Sequence, residues 1–358
     1  MLVTAICFLS GSVIVLAVLN DVFQSVIVPR AVGRRFRISF FLFRGLWAMW
    51  PMMAWMLYKT DAEKREDFLA IYAPFTLVAL LLTWAAFAIA GFAIIAIGWS
   101  GGFHPPLQTF GDALYFAATS LTTLGFGDIV GRTFGPRTLS IAAAVTGLTL
   151  LSITTAYFFA LFGAFQSRET IVVLVGARAG SPPSGVNLLA IAGYSDTIGD
   201  LNALMLDAQR WAASVMESHL AYPVLAYFRS SHEHESWIGT LGTCLDSAVL
   251  LMTTVDAPCG QARIFFNIGR HAARDLQRYF NLTPRDSRIE RSEFEHACDR
   301  LASAGYTIKE RDEAWSRFKS LRESYAGNID ALAHYFQIPP LQWIGDRSAV
   351  NRVHHGGS

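Results

Sequence analysis

The sequence predicts an all-α membrane protein, and three observations carry that expectation. Of its 358 residues 53% are hydrophobic and only 16% charged, against roughly 25% charged in an average soluble domain. The shortage is local, because residues 1–168 hold 11 Lys/Arg and 7 Asp/Glu whereas residues 169–358 hold 18 and 21. Residues 1–20, 68–100 and 138–167 carry no charged side chain at all, and each stretch reaches the about 20 apolar residues that a helix needs to cross a bilayer. A net charge of +1 excludes nucleic-acid binding through a broad basic surface. Cys7, Cys244, Cys259 and Cys298 are too few and too irregular for a disulfide framework and read as free thiols.

The first element, residues 1–28, reads as a retained transmembrane anchor: no basic run precedes its apolar stretch and no small-x-small site closes it, as a secretory signal would require. Arg30, Arg34, Arg35, Arg37 and Arg44 follow it, and basic loops stay cytoplasmic. The N-terminus is therefore expected outside and residues 29–67 inside. The Arg spacing lacks the sustained every-third-residue array of a voltage sensor, so a topological or anionic-lipid role is expected. Near the inner end of this span, Asn20, Asp21 and Gln24 are expected to pair with a nearby Arg or with pore-domain backbone, an intramembrane carboxylate needing a partner.

Residues 36–58 are apolar but interrupted by Arg37, Arg44 and Pro51 and crowded with Trp47, Trp50 and Trp55. The expected element is an interfacial helix on the inner leaflet, with Trp at headgroup level, Arg toward water and Pro51 as a break. If it spans instead, the rest of the topology inverts. With the interfacial reading, residues 68–100 run outward, residues 101–136 lie outside with Arg132 as their one basic residue, and the third span returns to the cytoplasm.

Between the second and third spans, Thr109 followed by Asp112 is a helix-start pattern. About twelve breaker-free residues follow, half a membrane crossing, and the run ends at Gly125 and Gly127. Non-helical backbone at membrane depth is tolerated only in protein or along water, so the segment is a pore candidate. The two glycines accept left-handed angles. Alternating with Leu124 and Phe126, they let successive carbonyls face one way while the large side chains pack behind, and several such loops around an axis make stacked oxygen rings. The C-terminal end of the short helix favours a cation.

Thr122, Thr123, Leu124, Gly125, Phe126, Gly127 and Asp128, flanked by two spans, resemble the filter of the potassium channel superfamily, whose consensus is Thr-Thr-Val-Gly-Tyr-Gly-Asp; five of seven positions match. The resemblance covers residues 68–167. It implies potassium coordination by the carbonyls of Thr123, Leu124, Gly125, Phe126 and Gly127, with the Thr123 hydroxyl at the inner end, Thr122 closing the pore helix and Asp128 bracing the outer mouth. Phe126 lacks the consensus hydroxyl, and Thr119 stands where some members carry a carboxylate. One filter per chain implies a homotetramer, since four segments close the ring.

The third span becomes the pore-lining inner helix. Gly147 falls where such channels often place a hinge glycine, and close helix packing is the equal alternative. Leu151, Thr155, Phe158, Phe159 and Phe162 recur at helical spacings, so an aromatic ring of Phe158, Phe159 and Phe162 is the candidate gate, closing by dewetting; packing against lipid or the second span is the other reading.

Residues 169–358 are expected to form a mainly helical, cytoplasmic regulatory domain with an unknown ligand. Residues 171–185 suggest a strand and loop, without the dinucleotide-binding glycine fingerprint. Helical periods cover 196–222, 236–254, 261–281, 287–304 and 309–336. Residues 236–254, although apolar, contain Asp246 and are short for a span, which suits a buried core helix. His232, Glu233, His234 and Glu235 are consecutive and lack further clustered ligands, so a solvated turn is expected in place of a metal site. The tail beyond Val353 is expected to fray.

The expected organisation is thus 1–28 anchor, 29–67 linker with the interfacial helix, 68–168 pore module and 169–358 regulatory domain, in the inner membrane of a bacterium. The expected activity is passive potassium conduction, with no catalytic residues, no cofactor and no nucleic-acid partner. A weakly selective cation channel is the nearer alternative, and a membrane-anchored signalling protein or hydrolase with a vestigial pore segment the more distant one.

Overall fold

The computed structural model describes residues 2–28, 38–180, 183–232, 235–258, 260–338 and Trp343. The chain divides into two units, Met1–Phe162 and Gly163–Ser358, and the division falls inside one long helix.

The first unit contains α1 (Leu2–Val22), continued by a π-helical turn at Phe23–Ile27, then α2 (Ile38–Leu57) and α3 (Ala62–Gly98). A short antiparallel ribbon, β1 (Phe103–His104) with β2 (Val130–Gly131), brackets α4 (Phe110–Leu121), and α5 (Phe134–Ala179) crosses into the second unit. Among the described residues four helical stretches, Leu2–Ile27, α2, α3 and α5, are long and apolar enough to cross a membrane.

Glycine decides how closely α1 approaches α3. A Cβ on Gly11 would lie 2.5 Å from the Gly91 carbonyl oxygen, and one on Gly98 would meet the Cys7 Cβ at 2.8 Å, so the two helices touch backbone to backbone as small residues permit. At the other end of α1 the Asp21 carboxylate, 1% exposed, accepts from the Trp84 indole at 2.7 Å and from the Ser39 amide and hydroxyl, each at 3.1 Å. Asp21 is paired structurally, but with a Trp84 side chain on α3 and with Ser39 on α2 in place of the pore-domain backbone expected; Arg30, Arg34, Arg35 and Arg37 lie outside the described residues.

Helix α2 takes up where α1 stops. Its Trp50 ring stacks on Phe68 (centroids 4.9 Å apart) and donates to the Phe68 carbonyl at 3.0 Å, while Trp47 lies edge-on to Tyr72, whose hydroxyl donates to the Phe43 carbonyl at 2.7 Å. Trp47 and Trp50 are therefore buried against α3, and of the three tryptophans expected at headgroup level Trp55 is the exposed one. Pro51 does not break the helix, since a proline removes one backbone hydrogen bond and leaves the flanking turns paired. Helix α3 has 37 residues, about 55 Å. Helix α1 lies along its second half and α2 along its first, so the two occupy successive stretches of one rod.

The second unit is built on α8 (Trp237–Thr253), in which every residue except Met252 is buried. Around it lie α6 (Gly185–Tyr194), α7 (Leu201–Ala221), α9 (Gly260–Tyr279), α10 (Arg291–Ser303), α11 (Arg311–Glu323) and α12 (Ala326–Tyr335); α6, α7, α9, α11 and α12 pack directly on it. The buried-core reading of residues 236–254 holds. Its one carboxylate, Asp246, accepts from the Tyr325 hydroxyl and from Arg322 Nε, and burial pushes the Asp246 carboxyl above its ordinary value. His219 on α7 is fully buried beside the Trp237 ring (4.7 Å); burial first, and the Arg168 guanidinium second, hold its imidazole well below the usual value.

The structure corrects two expectations and adds one helix. Residues 171–179 form the end of α5, not a strand: Ile171, Val172, Val175 and Ala179 are buried along one side, so helical packing overrides their β-branched preference. Helix α6 occupies a stretch that, beyond Gly185, the sequence left without an assigned element. Residues 309–336 are two helices, because the chain leaves helical angles at Tyr325 (φ −137°, ψ −29°), where the tyrosine turns in to Asp246.

Candidate ion-conduction site

Helix α4 begins as the Thr109/Asp112 spacing predicts. The Thr109 hydroxyl accepts from the Asp112 amide at 3.1 Å, and the Asp112 carboxylate accepts from the amides of Thr109 (2.8 Å) and Gln108 (3.0 Å), closing a capping box. Twelve residues give about 18 Å, half the thickness of a bilayer and its headgroups. Ala113, Phe116, Ala117 and Leu121 are its buried face, with Phe116 edge-on to Phe103 at 4.7 Å.

Thr122 caps the end of α4, its hydroxyl donating to the Ala118 carbonyl at 2.8 Å. The backbone then alternates. Thr123 (φ +59°), Gly125 (φ +48°) and Gly127 (φ +81°) are left-handed, separated by Leu124 and Phe126, which are not. Such alternation swings successive peptide planes so that their carbonyls gather on one side of the strand. Two of the three positions are the glycines expected there; Thr123 was not foreseen, because a β-branched residue rarely adopts positive φ. The conformation costs about 1–3 kcal/mol, and such outliers concentrate at functional sites. The turn is held from below by the Thr119 carbonyl, which accepts from Leu124 N at 2.9 Å and Gly125 N at 3.3 Å.

Every residue from Thr122 to Asp128 is exposed in the single chain. A Cβ on Gly125 or Gly127 would meet nothing within 4 Å. Leu124 and Phe126 are 61% and 67% exposed, so the expectation that they pack behind the backbone is not met within one chain. Asp128 lies near the Tyr115 hydroxyl of α4, close enough to act on it electrostatically, a neighbour that residue spacing had not identified; the signal was a tyrosine on the polar side of the pore helix. Beyond Asp128, the ribbon pairs Phe103 with Gly131 and His104 with Val130, while Arg132 N donates to the Gly102 carbonyl at 2.8 Å and Arg137 Nε to the Gly131 carbonyl at 3.1 Å. Both ends of the α4–filter segment are thereby tied together.

Helix α5 runs unbroken through Gly147. A Cβ there would lie 1.7 Å from the Leu121 carbonyl oxygen, so the inner helix meets the end of α4 at bare backbone. Leu151, Phe158, Phe159 and Phe162 are 60%, 55%, 67% and 50% exposed, whereas Tyr157 and Leu161 between them are buried. The Phe158 and Phe162 rings lie parallel with centroids 6.5 Å apart. The aromatic set therefore shares the side of α5 turned away from the rest of its unit. Among the described residues there is no group of three or more His, Cys, Asp or Glu able to hold a metal; Glu233 and His234 lie outside them.

Residues 79–164 match the model of a family described as ion channels, a span that runs from α3 through α4 and the alternating loop into α5. In those residues the chain is similar to ion channels. It is also similar to an uncharacterized membrane protein, YdjJ, of Bacillus subtilis (strain 168), at 21% identity over 190 residues, which is 51% of this chain and 54% of the relative. The chain thus spans about half the length of the curated relative it matches. No solved structure matches it.

Proposed function

We propose that four copies of this chain assemble around one axis into a passive, potassium-selective channel. In this reading the carbonyl oxygens of Thr123, Leu124, Gly125, Phe126 and Gly127, with the Thr123 hydroxyl at the inner end, replace the hydration shell of the ion. The supporting observation is the alternation of left-handed backbone at Thr123, Gly125 and Gly127 in a loop that its own chain leaves uncovered. A strained, polar backbone left bare at the end of a half-length helix needs other copies around it, and Leu124 and Phe126 are the side chains those copies would bury. The negative end of α4 points the same way, favouring a cation.

The activity needs no catalytic residue and no cofactor; potassium is the cargo. A bacterial inner membrane is the proposed location, with the second unit in the cytoplasm. The order of helices along α3 supports this topology. Because α1 and α2 lie on successive stretches of a rod longer than the about 30 Å hydrocarbon core, α2 falls below the slab that α1 crosses, at or beneath the inner leaflet. Cysteine labelling of intact cells should reach Gly102→Cys and miss Glu63→Cys; labelling at Glu63→Cys means that α2 spans. Of the two readings of Gly147, its contact with Leu121 favours packing over hinging.

Purified protein in potassium-loaded liposomes tests the function. Flux with a reversal potential near that of potassium is expected; no flux defeats the reading. A second reading, a weakly selective cation channel, is favoured by Phe126, which has no hydroxyl to anchor the filter, and is identified by a reversal potential that sodium shifts readily. Gating is assigned to Phe158, Phe159 and Phe162, whose rings would meet and exclude water. Phe159→Ser should raise open probability several-fold with selectivity unchanged; unchanged single-channel openings in all three Ser variants move the gate to the filter.

A further inference from the structure

Helix α9 differs from the rest of the second unit in sign. Residues 169–358 hold 18 Lys/Arg and 21 Asp/Glu, yet Gly260–Tyr279 contributes four arginines and one acid, which leaves 14 basic and 20 acidic residues in the remainder. At about 100° per residue, Arg263, Arg270, Arg274 and Arg278 fall within an arc of about 80° and along about 22 Å of helix. They form one straight row. Arg263, Arg274 and Arg278 are exposed, as is Asn267 among them, and Arg270 is half-buried with its guanidinium over the Phe266 ring at 5.2 Å. Phe265, Phe266, Ala272, Ala273 and Leu276 are buried on the other side of the helix, so the row faces out of the unit.

Exposed arginines elsewhere in this unit have acids beside them: Arg210, Arg288, Arg291, Arg311 and Arg317 each lie within 3.6 Å of a carboxylate. Among the described residues none of the four on α9 does. The one acid of the helix, Asp275, is met by His271 Nε2 at 3.1 Å, and Arg274 donates to His271 Nδ1, also at 3.1 Å, so the imidazole takes the carboxylate that an arginine would otherwise hold. Arg270 and Arg274, and again Arg274 and Arg278, stand four residues apart, where like charges repel. A row of unanswered, mutually repelling guanidinium groups is relieved by an anionic surface.

We propose that the arginine row of α9 is a docking surface for anionic phospholipid headgroups. A small anion needs donors that converge in a pocket, whereas these spread along the outer curve of a helix, where each meets a separate phosphate. Four basic residues on one helix face are enough to hold an acidic leaflet. Ile264, 47% exposed at the edge of the arc, is an apolar side chain placed to enter the headgroup boundary. An acidic polypeptide or a nucleic acid would also answer the charge, but each has to be recruited from solution. The apolar spans of the same chain keep a bilayer tethered to this unit, so headgroups are the polyanion present at high effective concentration. The number of copies in the assembly does not enter.

The full-length chain in lipid nanodiscs tests this, with Cys7 and Cys259 changed to Ser and the buried Cys244 and Cys298 left in place. A fluorophore is attached at Asn267→Cys on α9 or, as control, at Ser320→Cys, exposed on α11, and a quencher is carried on the lipid headgroups. Quenching at 267 should be several-fold stronger in discs with about 30% phosphatidylglycerol than in pure phosphatidylcholine, and should vanish in about 0.5 M salt, which screens exposed charge; quenching at 320 should be the same in both discs. Changing Arg263, Arg270, Arg274 and Arg278 together to Gln should abolish the difference at 267, and changing them together to Lys should keep it. Equal quenching at 267 in the two discs overturns the proposal, as does a difference that survives in the Gln variant or is lost in the Lys variant. Equal quenching combined with shielding of the 267 dye by added polyglutamate overturns it in favour of an acidic polypeptide.

Discussion

The loop from Thr122 to Asp128 and helix α8 solve opposite problems. Helix α8 keeps ordinary backbone angles and buries nearly every side chain in its own chain, so what holds it is local and complete. The loop holds three left-handed residues, leaves all its side chains exposed and is fixed to its own chain mainly through the carbonyls of Thr119 and Ser120. In the four-copy reading this segment is completed only by assembly. On that reading the contrast separates residues that serve the chain's own fold from residues whose environment other copies would complete, and substitutions should divide along the same line.

The largest effect is expected from Gly125→Ala. A Cβ meets no atom there, so the monomer has room for it, but φ +48° disfavours it and the carbonyl is turned from its aim. Conduction should fall at least about a hundredfold, by analogy with the loss of one preorganised ligand group, while tetramer mass and unfolding of the second unit stay the same. Potassium flux at the parent rate would end the filter assignment.

Trp237→Ala probes the other side of the comparison. The ring is 1% exposed, and its removal should cost about 3–5 kcal/mol, read by thermal unfolding, with ion selectivity intact in whatever channel remains. A change of selectivity would show that the two regions are not independent.

His219 sharpens the comparison through pH. Its folded pKa is held well below 6.5, so in the window below that value the unfolded chain takes up a proton that the folded chain refuses. The stability of the second unit should therefore fall as pH drops from about 6.5, by up to about 1.4 kcal/mol per pH unit, and His219→Gln should flatten the slope. Equal slopes in parent and variant would refute this origin.

The smallest effect is expected from Phe126→Tyr. An exposed ring gains a hydroxyl that only a neighbouring copy can use, so the unfolding temperature should not move while inactivation slows. Loss of potassium selectivity in this variant contradicts the packing model.

How much of this was legible in the sequence follows from how local each cause is. The start of α4 was readable because Thr109 and Asp112 satisfy each other within one turn, and Gly125 and Gly127 because glycine advertises the angles it permits. Thr123 was hidden, since its angles are imposed by the loop around it. The ribbon of β1 and β2 was hidden as well, two residues being too few for alternation to show. The run from Ile171 to Val175 looked like a strand because its side chains are branched, and only its packing reveals the helix. The break between α11 and α12 left no mark on the periodicity, because its cause is the long-range pull of Asp246 on Tyr325. In the first unit, Trp47 and Trp50 were misplaced for the same reason: a tryptophan suits both a headgroup layer and a helix contact.

Gly147 has a mechanical consequence. Ordinary helix contacts interlock side-chain ridges with grooves, and an interlocked pair resists rotation. Where α5 meets the Leu121 carbonyl only a hydrogen fits at position 147, and Ala143 and Leu150 beside it are buried in the same core as Leu121, so the contact is a key: turning the inner helix about its own axis would drive a larger residue against that carbonyl. Phe158, Phe159 and Phe162 would then shift by bending of α5 beyond the key, while the end of α4, and the loop mounted on it, stayed where it was.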